Sequence, residues 1–148
     1  MSLKQRIDDD MKSAMRARDS ARLTAIRLAL AGIKQREVDE RIQADDAVVI
    51  SVLERLSKQR KDSIDQFRKA GRDDLVAKEA AELELLQSYL PAQLTDVELR
   101  ALIEAAIAET GASGGQAMGK VMAALKPRLA GRAEMGRVSA AVKQCLQS

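Results

Sequence analysis

Residues 114–121 read GGQAMGKV, in which Gly114, four residues, Gly119 and Lys120 follow the spacing of a phosphate-gripping P-loop, G-x-x-x-x-G-K-[ST]. In such a loop backbone N–H groups cradle the phosphates, the lysine reaches them, and a Ser or Thr hydroxyl holds magnesium. Val121 stands where that hydroxyl belongs. A P-loop also has to leave a buried strand. The preceding LRALIEAAIAETGAS instead carries Leu99, Ile103 and Ile107 at helical spacing. Nucleotide binding and hydrolysis are therefore not expected.

Other catalytic constellations are equally incomplete. The chain has no histidine, the residue most used for proton transfer near neutral pH. Its one cysteine, Cys145, has neither a histidine partner for nucleophilic work nor companions for a zinc set. Asp8, Asp9 and Asp10 look like a metal cluster, but successive side chains on a helix diverge by about 100°, so three neighbours form a polar face. Carboxylates elsewhere sit beside basic partners at helical spacing, as Glu54 does with Lys58. No catalytic residue, metal ligand or cofactor is expected, and no self-sufficient enzyme.

The elements that would position any site are helical. Ala, Leu, Val, Ile and Met supply nearly all of the apolar 46%, and Phe67 and Tyr89 are the sole aromatics. With Glu, Lys, Arg and Gln, these residues favour an all-α fold around an aliphatic core. Ser2 is placed to cap a first helix with Leu3, Ile7, Met11 and Ala14 on its inner stripe. Asp19 caps a second, running to about Ile42, with Leu23, Ile26, Leu30 and Ile33 inward. Asp45 or Asp46 starts a third, carrying Val49, Leu53, Leu56, Ile64 and Phe67, which Gly71 ends. A fourth begins near Asp73 and carries Leu75, Leu83, Leu86, Tyr89 and Leu90. Pro91 stops it, and Thr95 with Glu98 forms a capping box that opens something new. We therefore expect a four-helix N-terminal domain over 1–92 and a three-helix C-terminal domain over 93–148, with helices near 96–109, 115–126 and 134–146. Pro127 is expected to end the middle one, and Gly111, Gly131 and Gly136 mark turns.

Charge is uneven beneath a net +3. Lys12 to Arg36 holds seven basic residues against Asp19 alone, and Thr110 to Ser148 holds six against Glu134. Such local fields attract polyanions. Two core-placed aromatics cannot supply the stacking platform on which single strands are gripped, so folded, double-helical RNA is the better fit. Lys120, Lys126, Arg128, Arg132 and Arg137 would contact phosphates. Gly119 and Gly131 either permit close backbone approach or serve helix packing and a turn. No stretch reaches the roughly 20 apolar residues that cross a bilayer. MSLKQRIDDDMK also lacks a signal peptide's apolar run. With a lone, free thiol at Cys145, a cytoplasmic location is expected and no membrane partner.

Three blocks in order make the chain resemble the GatB/YqeY family along essentially its whole length. They are AGR-x-DL with EAAEL, then YLP-x-QL, then MGKVM…GRA…VS, within AGRDDLVAKEAAELELLQSYLPAQLTDVEL, IAETGA and MGKVMAALKPRLAGRAEMGRVSAAV. Glu134 departs from the Asp that usually follows G-R-A in the family. The resemblance implies a stand-alone YqeY-like protein whose C-terminal domain is similar to the tail of the tRNA-dependent amidotransferase B subunit, which helps hold misacylated tRNA. A related module is appended to some glutaminyl-tRNA synthetases. The resemblance also carries the label of a carbon–nitrogen ligase with glutamine as amido-N donor, although the subunit's catalytic cradle has no counterpart here.

The expected function is non-catalytic binding of tRNA or tRNA-like RNA. The rival is an adaptor that docks on an amidotransferase or synthetase, with Met118, Met122 and Met135 as an adaptable groove or as core.

Overall fold

The computed structural model describes residues 1–111 and 113–147. Among them are seven α-helices and a short 3-10 turn, with no strand. They are α1 (Leu3–Arg16), α2 (Ser20–Glu40), α3 (Asp46–Lys69), α4 (Asp73–Ser88), α5 (Asp96–Thr110), α6 (Ala117–Leu129) and α7 (Met135–Gln147), with the turn at Gly114–Gln116.

Helix starts follow local chemistry. Ser2 and Thr95 make complete capping boxes with Gln5 and Glu98. Asp19 and Asp45 accept from the N–H groups of Arg22 and Val48. Each such cap satisfies a donor that the helix itself cannot pair, an effect of about 1 kcal/mol. The β-branched run Ala47–Leu53 lies wholly inside α3, because its helical stripe buries Val49, Val52 and Leu53 completely.

Contacts gather the chain into two compact units, Met1–Leu90 and Pro91–Ser148. In the first, Ile7, Ile26, Ile33, Val49, Val52 and Leu53 are fully enclosed, with Leu86 and Tyr89 closing the core. Gly32 lets α2 approach α3: a Cβ there would lie 3.2 Å from Val52 and 3.3 Å from Leu56. In the second, Leu99, Ile103, Val121, Leu125, Leu129, Val138 and Val142 form an aliphatic core. Leu94 is tied in by its N–H, which donates to the Arg132 carbonyl at 2.8 Å.

Gly136 marks no turn and lies inside α7. Two further local expectations need correction. Pro127 does not end α6, which runs on to Leu129. Pro127 and Ala123 are both exposed, so the carbonyl deprived of its partner lies on the wet side, while Leu125 and Leu129 are buried. Burial of that stripe outweighs the missing hydrogen bond. The three aspartates also do not share one role. Asp10 turns inward, and its Oδ2 accepts the Tyr89 hydroxyl at 2.6 Å.

Candidate nucleic-acid interface

The sequence GGQAMGKV lies after a helix, α5, and folds as the 3-10 turn running into α6. Val121, at the hydroxyl position of the motif, is fully buried in the aliphatic core. Met118 and Met122 pack partly buried against the same core, and Met135 is exposed. Gly119 is inside the helix, on its exposed face, where a Cβ would meet nothing within 4 Å.

Lys120 and Lys126 are exposed on α6. Six residues at about 100° each place them roughly 120° apart, on either side of Gly119, Ala123 and Pro127. Among the described residues, neither lysine carries an ion pair. This strip of short side chains edged by two free ammonium groups leaves the helix backbone open to an approaching anion.

Arg128 and Arg137 are engaged. Arg128 Nη2 donates to Glu109 Oε2 at 2.7 Å, near the end of α5. Arg137 Nη2 donates to Asp96 Oδ1 at 2.6 Å, at the start of α5. Both pairs are open to water: the Glu109 side chain is 53% exposed and Asp96 95%. Exposed pairs of this kind contribute about 0–1 kcal/mol, so a phosphate can replace either carboxylate at little cost. Arg137 also borders a groove of about 680 Å³ between α5 and α7, with Arg100 and Asp96 on its rim and Cys145 in its lining.

Arg132 sits in the α6–α7 connection, partly buried. The Glu98 carboxyl is held below its ordinary value, chiefly by hydrogen bonding to Thr95, with the Arg132 charge adding to the effect. Gly131 is placed differently from Gly119. It is buried, adopts φ +73°, and its carbonyl accepts Gln93 Nε2 at 2.8 Å. Its left-handed backbone makes the turn that brings α7 back onto α6. Of the two glycines, then, Gly119 offers open surface and Gly131 a structural turn.

The remaining polar clusters lie in the first unit. Arg60 of α3 donates to Glu79 Oε2 at 3.0 Å and lies 3.4 Å from Glu82 Oε2, with all three side chains largely buried. Glu37 is buried, takes Lys4 Nζ on both oxygens and accepts the Ala44 N–H at 2.9 Å. The Ala44 bond first, and Lys4 next, hold its carboxyl below the ordinary range. Sequence reading missed both. The signal for the first was available in Glu79 and Glu82, three residues apart and hence on one face of a helix. Among the described residues, no group of three or more Cys, Asp or Glu is placed to hold a metal ion, and no helix is long and apolar enough to cross a membrane.

Comparison with known proteins gives the context. A family model described as "Yqey-like protein" matches residues 4–146. The chain is 44% identical over 87 residues to "Altered inheritance of mitochondria protein 41, mitochondrial" of Eremothecium gossypii, covering 58% of this chain and 48% of the relative. The protein of the same name from Kluyveromyces lactis is 44% identical over 84 residues, 56% of this chain and 45% of its own length. That of Pyrenophora tritici-repentis is 33% identical over 129 residues, 83% of this chain and 71% of the relative. The chain thus spans about half the length of the first two relatives it matches. These names overturn the expectation of a cytoplasmic location, since the relatives are designated mitochondrial. A lone free thiol does not distinguish one reducing compartment from another.

Proposed function

This chain belongs to the YqeY-like protein family, and from that premise we propose that it is a non-catalytic helical protein that binds folded RNA of the tRNA type through its second unit. The observation that carries this reading is the state of the five cations. Lys120 and Lys126 stand free, Arg132 is partly buried, and Arg128 and Arg137 are held only by solvent-exposed carboxylates. Such side chains lose little on transfer to phosphate. The strip at Gly119 lets a backbone come close between the lysines. The chain's single tyrosine is buried and Phe67 is partly buried in the first unit, so base stacking contributes nothing here and shape and phosphate recognition dominate. The resemblance of the second unit to the amidotransferase B-subunit tail supplies the RNA class.

The adaptor reading through a methionine groove has less support, because Met118 and Met122 line the core. Three to five phosphate contacts predict that log K for total tRNA falls with log[salt] at a slope of roughly −3 to −4. Combined Lys120→Ala, Lys126→Ala and Arg132→Ala should weaken binding at least tenfold and flatten the slope by about 2 to 3. Absence of salt-sensitive tRNA binding at low salt would refute the proposal.

A further inference from the structure

Helix α2 exposes a second surface of a different character. Leu28 and Val38 are 44% and 59% exposed, and with Ala31 and Gln35 they follow the spacing 3, 4, 3 along one face. That is the spacing of a seam against which another helix packs. The opposite stripe of α2, including Ile26, Ala29 and Ile33, fills the core. Of the outward residues, Leu28 also borders a shallow crevice with Leu56 and Leu86, and Gln35 donates to Asp39 Oδ1 at 2.8 Å, while Ala31 and Val38 lie open. Arg27 and Lys34 recur seven residues apart, each one position before the seam residues Leu28 and Gln35. In heptad terms they edge one flank, where charge selects a partner. Beyond the helix end the seam opens into a groove of about 730 Å³ lined by Lys34, Val38, Arg41 and Ile42 together with Lys4, Glu37 and Asp8. Glu37 is consumed there by Lys4 and the Ala44 N–H. Lys34 and Arg41 therefore face Asp8 as the one acid in the lining not so engaged.

The backbone carries a cost at Arg41. Arg18 and Arg41, at the ends of α1 and α2, have φ of 55° and 54°. At the ends of α3 and α5 the same left-handed position is taken by Gly71 and Gly111. Glycine adopts that conformation without the steric cost an L side chain bears. Arginine at position 41 accepts that cost, and no ion pair or side-chain hydrogen bond within the described residues repays it. Its side chain lines the groove at the end of the seam.

We propose that the outward face of α2 docks an amphipathic helix of a partner protein whose apolar stripe lies on Leu28, Ala31, Gln35 and Val38 and whose flanking residues are acidic, opposite Arg27, Lys34 and Arg41. The complement is acidic because Arg27, Lys34 and Arg41 carry no ion pair within the described residues. In an antiparallel pairing a second copy would set Arg27 and Lys34 against their own counterparts, like charges that repel.

The test uses the full chain and two synthetic helical peptides with leucines at 3, 4 spacing, one flanked by glutamates and one by lysines. The glutamate peptide should bind about tenfold tighter at low salt. Charge reversal at Arg27→Glu, Lys34→Glu and Arg41→Glu should erase that preference, and Val38→Glu should abolish binding of both peptides, with helicity unchanged by circular dichroism. Arg41→Gly provides a variant that cannot be dismissed as misfolded: it should melt at or above the wild-type temperature and yet bind the glutamate peptide several-fold more weakly. Equal binding of the two peptides, or a preference that survives charge reversal, would overturn the proposal. So would a dimer in sedimentation that Val38→Glu dissolves, which would make a second copy the occupant. Loss of tRNA binding on the same charge reversal, with peptide binding intact, would assign the surface to RNA instead.

Discussion

The two units solve the problem of a charged, aromatic-poor sequence in opposite ways. The first draws acids inward and spends them: Glu37 on Lys4 and Ala44, Asp10 on Tyr89, Glu79 and Glu82 on Arg60. The second keeps its core wholly aliphatic and leaves its long-range ion pairs, Arg128 with Glu109 and Arg137 with Asp96, open to solvent. The lesson concerns availability. A half-buried pair fixes helices and is costly to break, whereas an exposed pair contributes little and is easily exchanged for another anion. A surface that has to release its partners for a ligand is therefore expected in the second unit.

The largest effect that would sharpen this contrast comes from Arg60→Ala. It leaves two largely buried carboxylates facing each other without a cation and should cost about 3 kcal/mol. Tyr89 is the chain's single tyrosine and lies in the first unit, so its fluorescence follows that unit alone, while circular dichroism follows both. Arg60→Ala should move the tyrosine transition in urea. Adding Glu79→Gln and Glu82→Gln should restore most of the loss, because the uncompensated charges are gone.

Val121→Ser comes next. It completes the P-loop spelling and puts a hydroxyl into a core position with no exposed surface, at a cost of about 2 kcal/mol. The circular dichroism transition should shift while tyrosine fluorescence holds, and titration with ATP should show no gain of binding. If either variant moved both signals equally, the separation of the two units' energetics would fail.

A smaller effect is confined to alkaline pH. Burial first, and then the hydrogen bond and charge of Asp10, push the Tyr89 hydroxyl up to about 12. The folded state thus holds that proton more tightly than the unfolded chain, whose tyrosine titrates near 10. The resulting stability is complete below pH 10 and is lost as pH rises toward 12. Tyr89→Phe should be about 1 kcal/mol less stable at neutral pH, from the lost hydrogen bond, and should lack the alkaline decline in thermal melts.

Local structure was legible because its causes are local. Ser2, Asp19, Asp45 and Thr95 cap where their side chains can reach a free N–H, and Gly71 and Gly111 close helices in the left-handed conformation. Pro127 misled because its effect depends on which side of the helix loses the bond, and that is decided by packing of Leu125 and Leu129. The candidate interface was legible as a list of cations and not as a surface. Arg128 and Arg137 meet acids 19 and 41 residues away, pairings that only the stacking of α5 on α6 and α7 creates. Gly119 and Gly131 looked alike in sequence, yet one lies open on a helix face and the other is buried in a turn.

The most direct test of RNA binding by the second unit is crosslinking in cells followed by sequencing of the RNA recovered with the full chain, beside the Arg128→Ala and Arg132→Ala double variant. Enrichment of folded tRNA-type sequences that the double variant loses, at unchanged protein level, is the predicted result. Recovery no greater than background, or the same RNA recovered with the double variant, would contradict it.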